Sequence, residues 1–148
     1  MSFVKVTRHM LVAAMLVTGG SIVAQAAPAQ AAQGCGGTLV GQHVYAGGYA
    51  QVDVYFNGST NCLINRTRGS SWGQAKYMGI AVKRSSSSTF YCNVGDKFSL
   101  TYADCGYFNY YAGPVKVYAP HSCISFSATV KKANGTVVHR TWFGVHCG

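Results

Sequence analysis

Residues 123–143 read Cys-Ile-Ser-Phe-Ser-Ala-Thr-Val-Lys-Lys-Ala-Asn-Gly-Thr-Val-Val-His-Arg-Thr-Trp-Phe. Ile124, Phe126, Ala128 and Val130 alternate with Ser125, Ser127, Thr129 and Lys131. A period of two puts the first set on one face of a strand and the second on the other. Asn134-Gly135 follows, a dipeptide that accepts the positive φ of a tight hairpin turn. The stretch therefore predicts a hairpin of two strands, 123–132 and 136–143. The same rhythm recurs upstream. Ala50, Val52, Val54 and Phe56 alternate with Gln51, Asp53 and Tyr55. Met78, Ile80 and Val82 alternate with Gly79, Ala81 and Lys83, and Phe98, Leu100 and Tyr102 with Ser99 and Thr101. Asn57-Gly58, Gly47-Gly48, Gly69, Gly95-Asp96 and Gly113-Pro114 break the chain between such runs. About eight strands result, each with one apolar face, and two sheets stacked face to face bury those faces economically. The expected fold is an all-β sandwich, with a closed β-barrel as the alternative.

The first 32 residues have a different character. Residues 1–9 carry Lys5 and Arg8 and no acid, residues 10–23 form an apolar run, and Ala24-Gln25-Ala26 and Ala29-Gln30-Ala31 offer small-residue cleavage patterns. That is the layout of a secretory signal peptide, cut somewhere from 26 to 32. The run is short for a membrane span, and no later segment approaches that length. A single exported domain over residues 33–148 is expected, with no transmembrane segment in the mature form.

Cys35, Cys62, Cys92, Cys105, Cys123 and Cys147 all follow the leader. An even set behind an export signal reads as three disulfides, each worth about 2–4 kcal/mol to a small domain. Cys92 and Cys105 flank the strand expected near Phe98, and a hairpin there brings them together. Three pairings of the other four stay open; the one taken first joins Cys62 to Cys123 and Cys35 to Cys147.

Beyond the leader ten Lys and Arg stand against Asp53, Asp96 and Asp104, with no glutamate, a net charge of 10 − 3 = +7. Such an excess favours anionic partners such as teichoic acids, phospholipid headgroups or nucleic acid. It also restricts the chemistry. A glycosidase needs two neighbouring carboxyl groups, and Asp96 sits in a turn pattern. His43, His121, His139 and His146 follow no metal-ligand spacing, and Gly69-Ser70-Ser71-Trp72-Gly73 is a loop rather than a nucleophile elbow. No cofactor or metal is called for. His121, His139 and His146 with Lys116 and Arg140 are the residue types a basic ribonuclease would use. For binding, the tyrosines around Gly113-Pro114 offer stacking faces with polar tips, and Tyr110, Tyr111 and Tyr118 with Lys116 are the first choice. No sequence signature of a nucleic-acid module occurs. The glycosylation triplets at Asn57, Asn65 and Asn134 read as coincidence.

Asn61-Cys62-Leu63-Ile64, Tyr110-Tyr111-Ala112-Gly113-Pro114-Val115-Lys116-Val117-Tyr118, Cys123-Ile124-Ser125-Phe126 and the terminal Gly144-Val145-His146-Cys147-Gly148 together resemble the spore-associated protein family of streptomycetes and related actinomycetes. The resemblance covers most of the mature chain loosely and its last third more closely. Family members carry tryptophan at the place of Phe126 and lack the Cys92/Cys105 pair; a pair that comes and goes together supports a bond between its members. The resemblance implies secretion and association with the spore or cell surface, and no catalytic mechanism. The expectation is a secreted, non-enzymatic envelope protein that meets an anionic or glycan surface through cations and tyrosines. The alternatives are an inhibitor or toxin presenting a Cys92–Cys105 loop and, third, the ribonuclease.

Overall fold

The computed structural model describes residues 34–85 and 90–147. The signal peptide expected over 1–32 lies outside the described residues, as do Ser86–Ser88 of the serine run. Nine strands form among them: β1 (Thr38–Tyr45), β2 (Ala50–Phe56), β3 (Thr60–Thr67), β4 (Lys76–Arg84), β5 (Phe98–Leu100), β6 (Ala103–Phe108), β7 (Tyr111–Tyr118), β8 (Ile124–Lys131) and β9 (Val137–Val145). They make a four-stranded sheet in the order β1-β2-β3-β7 and a five-stranded sheet in the order β5-β6-β4-β8-β9. Every pairing is antiparallel. The sheets do not close on each other, so the fold is the expected sandwich and not the barrel.

The alternating residues meet between the sheets. Val52 and Val54 of β2, Leu63 of β3, and Ala112 and Val115 of β7 face Met78, Ile80 and Val82 of β4 and Ile124, Phe126, Ala128 and Val130 of β8. Asn65 of β3 is a polar side chain among them. It has no exposed surface. Its Oδ1 accepts from Tyr45 Oη at 2.9 Å, and its Nδ2 donates to Gly79 O at 2.9 Å and Thr129 O at 3.0 Å. A carboxamide from one sheet thus binds two backbone carbonyls of the other, with each bond replacing one that water would supply.

β4 is buried on both faces, because a segment of the chain, residues 90–96, straps its outer side. Ser127 Oγ donates to Phe90 O, Thr129 Oγ1 to Cys92 O at 3.1 Å, and Tyr77 Oη to Asn93 O. Burial, with Asp96 and Tyr107 nearby, pushes the Tyr77 hydroxyl up to about 12, so it stays a donor. Gly79 lies under the strap, where a Cβ would collide with Cys92. The strap is pinned by Cys92–Cys105, as the hairpin argument expects.

Two expectations are corrected. The strand at Phe98 ends at Leu100, because Thr101 and Tyr102 turn to bind both sheets: Thr101 O accepts from Lys116 N at 2.6 Å and Tyr102 O from Val82 N at 2.9 Å. The remaining disulfides are Cys35–Cys62 and Cys123–Cys147, not Cys62–Cys123 and Cys35–Cys147. Register explains both. Ile124 pairs with Val145, so Cys123 and Cys147 flank one rung of the β8–β9 hairpin. Cys62 faces outward from β3, where the segment before β1 crosses the sheet and Cys35 packs with Ile64, Tyr55 and Tyr111. Cys62 and Cys123 belong to different layers.

The two Asn-Gly turns form as read. Asn57 Oδ1 accepts from Thr60 N at 2.9 Å and Asn134 Oδ1 from Thr136 N at 3.1 Å, while Gly58 and Gly135 take φ of 93° and 86°. Antiparallel topology then collects the turn at 46–49, the loop at 68–75, residues 109–110 and the turn at 132–136 at one end of the sandwich.

Candidate functional site

The surface field is set by where the carboxylates go. Asp53 on β2 is 3% exposed; its Oδ2 takes Arg66 Nε at 2.6 Å, and its Oδ1 takes Gln42 Nε2 at 3.1 Å and Gln51 Nε2. Asp104 on β6 is 7% exposed and accepts from Gly113 N at 2.6 Å. Asp96 accepts from Asn93 N at 2.8 Å and closes the turn of the strap. Asp53, Asp96 and Asp104 therefore each have hydrogen-bond donors of their own, the first and last of them buried. Among the cations, Lys76 is buried; its Nζ donates to Ser71 O and, at 2.5 Å, to Gln74 O, and desolvation lowers its pKa.

Arg66, Arg68 and Lys132 stand with aromatics at the end that carries residues 46–49, 68–75, 109–110 and 132–136. Arg68 and Gly69 form a wall between two open hollows. One, of about 540 Å³, runs over Gln42, Gln51, Arg66 and Trp72; the other, of about 580 Å³, runs over Ala46–Tyr49, Ser70 and Lys132. Lys132 Nζ stands 5.9 Å from the Tyr49 ring centroid, within cation–π range. Trp72 and Tyr110 pack with centroids 5.2 Å apart. The loop that carries Arg68 is held from below: Arg68 N donates to Tyr49 O at 2.9 Å, Ser71 Oγ to Arg68 O at 2.9 Å, and Thr67 Oγ1 to Ser71 O at 3.2 Å. The guanidinium is thus presented on a fixed backbone, which lowers the ordering cost of binding. Fixed cations beside ring faces can hold phosphate or carboxylate groups while sugars stack on the rings.

The residues singled out from sequence are distributed along β7. Tyr111 pairs with Arg66, Lys116 with Cys62 and Tyr118 with Thr60. Tyr111, Lys116 and Tyr118 share the outer face of the four-stranded sheet, at its edge, but seven residues of strand, about 23 Å, separate the two tyrosines. Only Tyr110 and Tyr111 reach the cationic end. Trp72, Tyr49, Arg68 and Lys132 carry the rest of it.

The histidines named for acid–base chemistry stand in separate places. His139 lies on the outer side of β9, with Nδ1 2.9 Å from Thr129 Oγ1 and its ring against Tyr91. His121 is in the loop after β7, with φ 52°. His146 instead meets His43, Nε2 to Nε2 at 2.8 Å, where the edge strands β1 and β9 face each other beside Phe126 and Trp142. Burial lowers both histidine pKa values, and for His43 the neighbouring His146 lowers it further. Among the described residues no group of three or more His, Cys, Asp or Glu could hold a metal ion, and no helix is long and apolar enough to cross a membrane.

Comparison of the chain with protein-family models, with curated proteins and with solved structures finds no match.

Proposed function

We propose that this is an exported, non-enzymatic protein of the spore or cell envelope that holds an anionic, sugar-bearing polymer against its cationic end. Arg68 and Lys132 contact the charged groups, assisted by the outer edge of Arg66, and Trp72 and Tyr110 offer faces to the sugars. The observation that carries the reading is that Arg68 and Lys132 border the two hollows there, while Asp53, bonded to three residues that line one of them, is only 3% exposed and already held by Arg66, Gln42 and Gln51. Calorimetric titration of the oxidised protein with a polyglycerol-phosphate wall polymer tests it. Binding at low salt is expected, weakened about threefold to tenfold by Arg68→Ala or Lys132→Ala, with Lys116→Ala closer to the parent protein. Equal losses in all three variants would mean diffuse charge and no site.

One observation favours a second reading. The disulfide-pinned strap exposes Phe90, Tyr91 and Val94 on a rigid backbone, the form of an element that inserts into another protein. Inhibition of secreted proteases by the purified protein, lost in Tyr91→Ala, would support it; full protease activity at saturating protein would remove it.

A further inference from the structure

The two long edges of the sandwich are closed in different ways. On one, the turn at Thr101 and Tyr102 is bonded to both sheets, through Lys116 N of β7 and Val82 N of β4. On the other, β1 pairs only with β2 and β9 only with β8, and among the described residues no backbone hydrogen bond joins β1 to β9. Side chains shut that edge. His43 Nε2 meets His146 Nε2 at 2.8 Å with the ring centroids 5.1 Å apart, so the rings touch tip to tip. His43 also lies edge-on to Phe126 and Trp142, and Tyr45 to Trp142.

Local structure aims the His146 ring at this contact. Its φ of 51° is a left-handed backbone, uncommon outside glycine. Its flanks are tied to the start of β8, by Cys123–Cys147 and by Gly144 N donating to Ser125 Oγ at 3.1 Å. Gly41 on β1 leaves the space the ring fills, since a Cβ there would collide with His146 Cε1 and Nε2.

Protons decide whether such a contact holds. In the neutral pair one Nε2–H donates to the lone pair of the other Nε2. A first added proton makes the donor an imidazolium and the bond charge-assisted. A second takes the remaining lone pair, and two N–H groups of like charge then face each other. We propose that His43 and His146 form a proton-operated latch: with none or one added proton they hold β1 against β9, and with two they release that edge, while the Thr101–Tyr102 edge stays bonded. Burial lowers both histidine values, which puts the release below the ordinary 6.5. The other groups that face the pair do not titrate there. Tyr45 keeps its proton, because burial raises its hydroxyl. Arg140, exposed on the same face of β9 as Trp142, stays charged. The inner faces of β2 and β8 present apolar side chains, and Asp53 points away, held by Arg66. The latch is independent of the cationic end and of any polymer bound there.

Amide hydrogen exchange of the oxidised protein, corrected for the intrinsic pH dependence of exchange, is the test. From about pH 7.5 to about pH 4.5, exchange at the protected amides of residues 43–45 and 142–146 should rise about tenfold or more, with residues 61–65 and 78–82 unchanged. His43→Phe and His146→Phe each keep a ring without a titrating proton and should remove the rise. If either variant fails to fold, Gly41→Ala still decides: it keeps both histidines, pushes the His146 ring aside and should raise exchange at the same amides already at neutral pH. No rise in acid, a rise that survives both phenylalanine variants, or a rise shared equally by β3 and β4 overturns the latch. So does a Gly41→Ala protein as well protected at neutral pH as the parent.

Discussion

Replacing Asn65 by alanine should be among the most damaging single changes in this protein. The side chain spends three hydrogen bonds, on Tyr45 Oη, Gly79 O and Thr129 O, and has no exposed surface. Each neutral bond contributes about 1 kcal/mol net, and a buried group left without a partner costs about 1–3 kcal/mol. Tyr45 is that group. It is 6% exposed, and burial raises its hydroxyl pKa far above the ordinary 10.0, so it remains a donor at any pH of interest. Loss of the bonds and orphaning of the hydroxyl together give about 3–5 kcal/mol, a large part of the ~5–15 kcal/mol typical of a domain. Tyr45→Phe alone should cost only about 1–2 kcal/mol. The double variant should cost less than the sum by about 1 kcal/mol or more, since the phenylalanine ring has no donor to strand. Equilibrium unfolding in urea, with disulfides intact, measures all four proteins. A cost below about 1 kcal/mol for Asn65→Ala, or strict additivity, would refute the idea that this carboxamide staples the two sheets.

Gly79→Ala should destabilise by about 1–3 kcal/mol, because the new Cβ meets Cys92 and the strap must lift; hydrogen exchange should rise at residues 90–96. Joint replacement of Cys92 and Cys105 by serine opens a link across 13 residues and should cost about 3 kcal/mol, read from denaturant midpoints. Both His43 and His146 have pKa values lowered by the fold, so the unfolded chain binds protons more readily. The stability they contribute is fully present above the ordinary value of 6.5 and drains away as pH falls through the lowered folded values. Thermal melts across that range should show the decline, and His43→Phe should flatten it. Thr141→Val should leave stability unchanged or raise it by up to about 1–2 kcal/mol, since the hydroxyl it removes is buried without a partner; a loss of that size in urea unfolding would contradict this.

Much of the sandwich can be read from the chain because period two is a local signal. Met78, Ile80 and Val82 announce their face without reference to anything distant. What could not be read depends on which strands are neighbours. Cys62 looks equally available to Cys35, Cys123 or Cys147 until the register places it on the outer face of β3. Asn65 sits in a glycosylation triplet and reads as polar surface, yet it faces inward because Leu63 does. The tyrosines of β7 are close in sequence and extend along a strand, so nearness in number became distance in space. Arg68, Trp72 and Lys132 come from two different connections and meet only once the sheets stack. A weak signal did exist: Arg66, Arg68 and Trp72 lie within one short stretch that contains no acid. The His43–His146 pair joins strands separated by most of the domain and left no local trace.

The most direct measurement of the proposed role is co-sedimentation of the oxidised protein with bacterial cell walls, run side by side on walls stripped of their anionic polymer and on intact walls. The result expected is binding to intact walls that weakens as salt screens the charges, little binding to stripped walls, and a clear loss for an Arg68→Ala/Lys132→Ala double variant. Equal binding to both wall preparations, or a double variant that sediments like the parent protein, would contradict it.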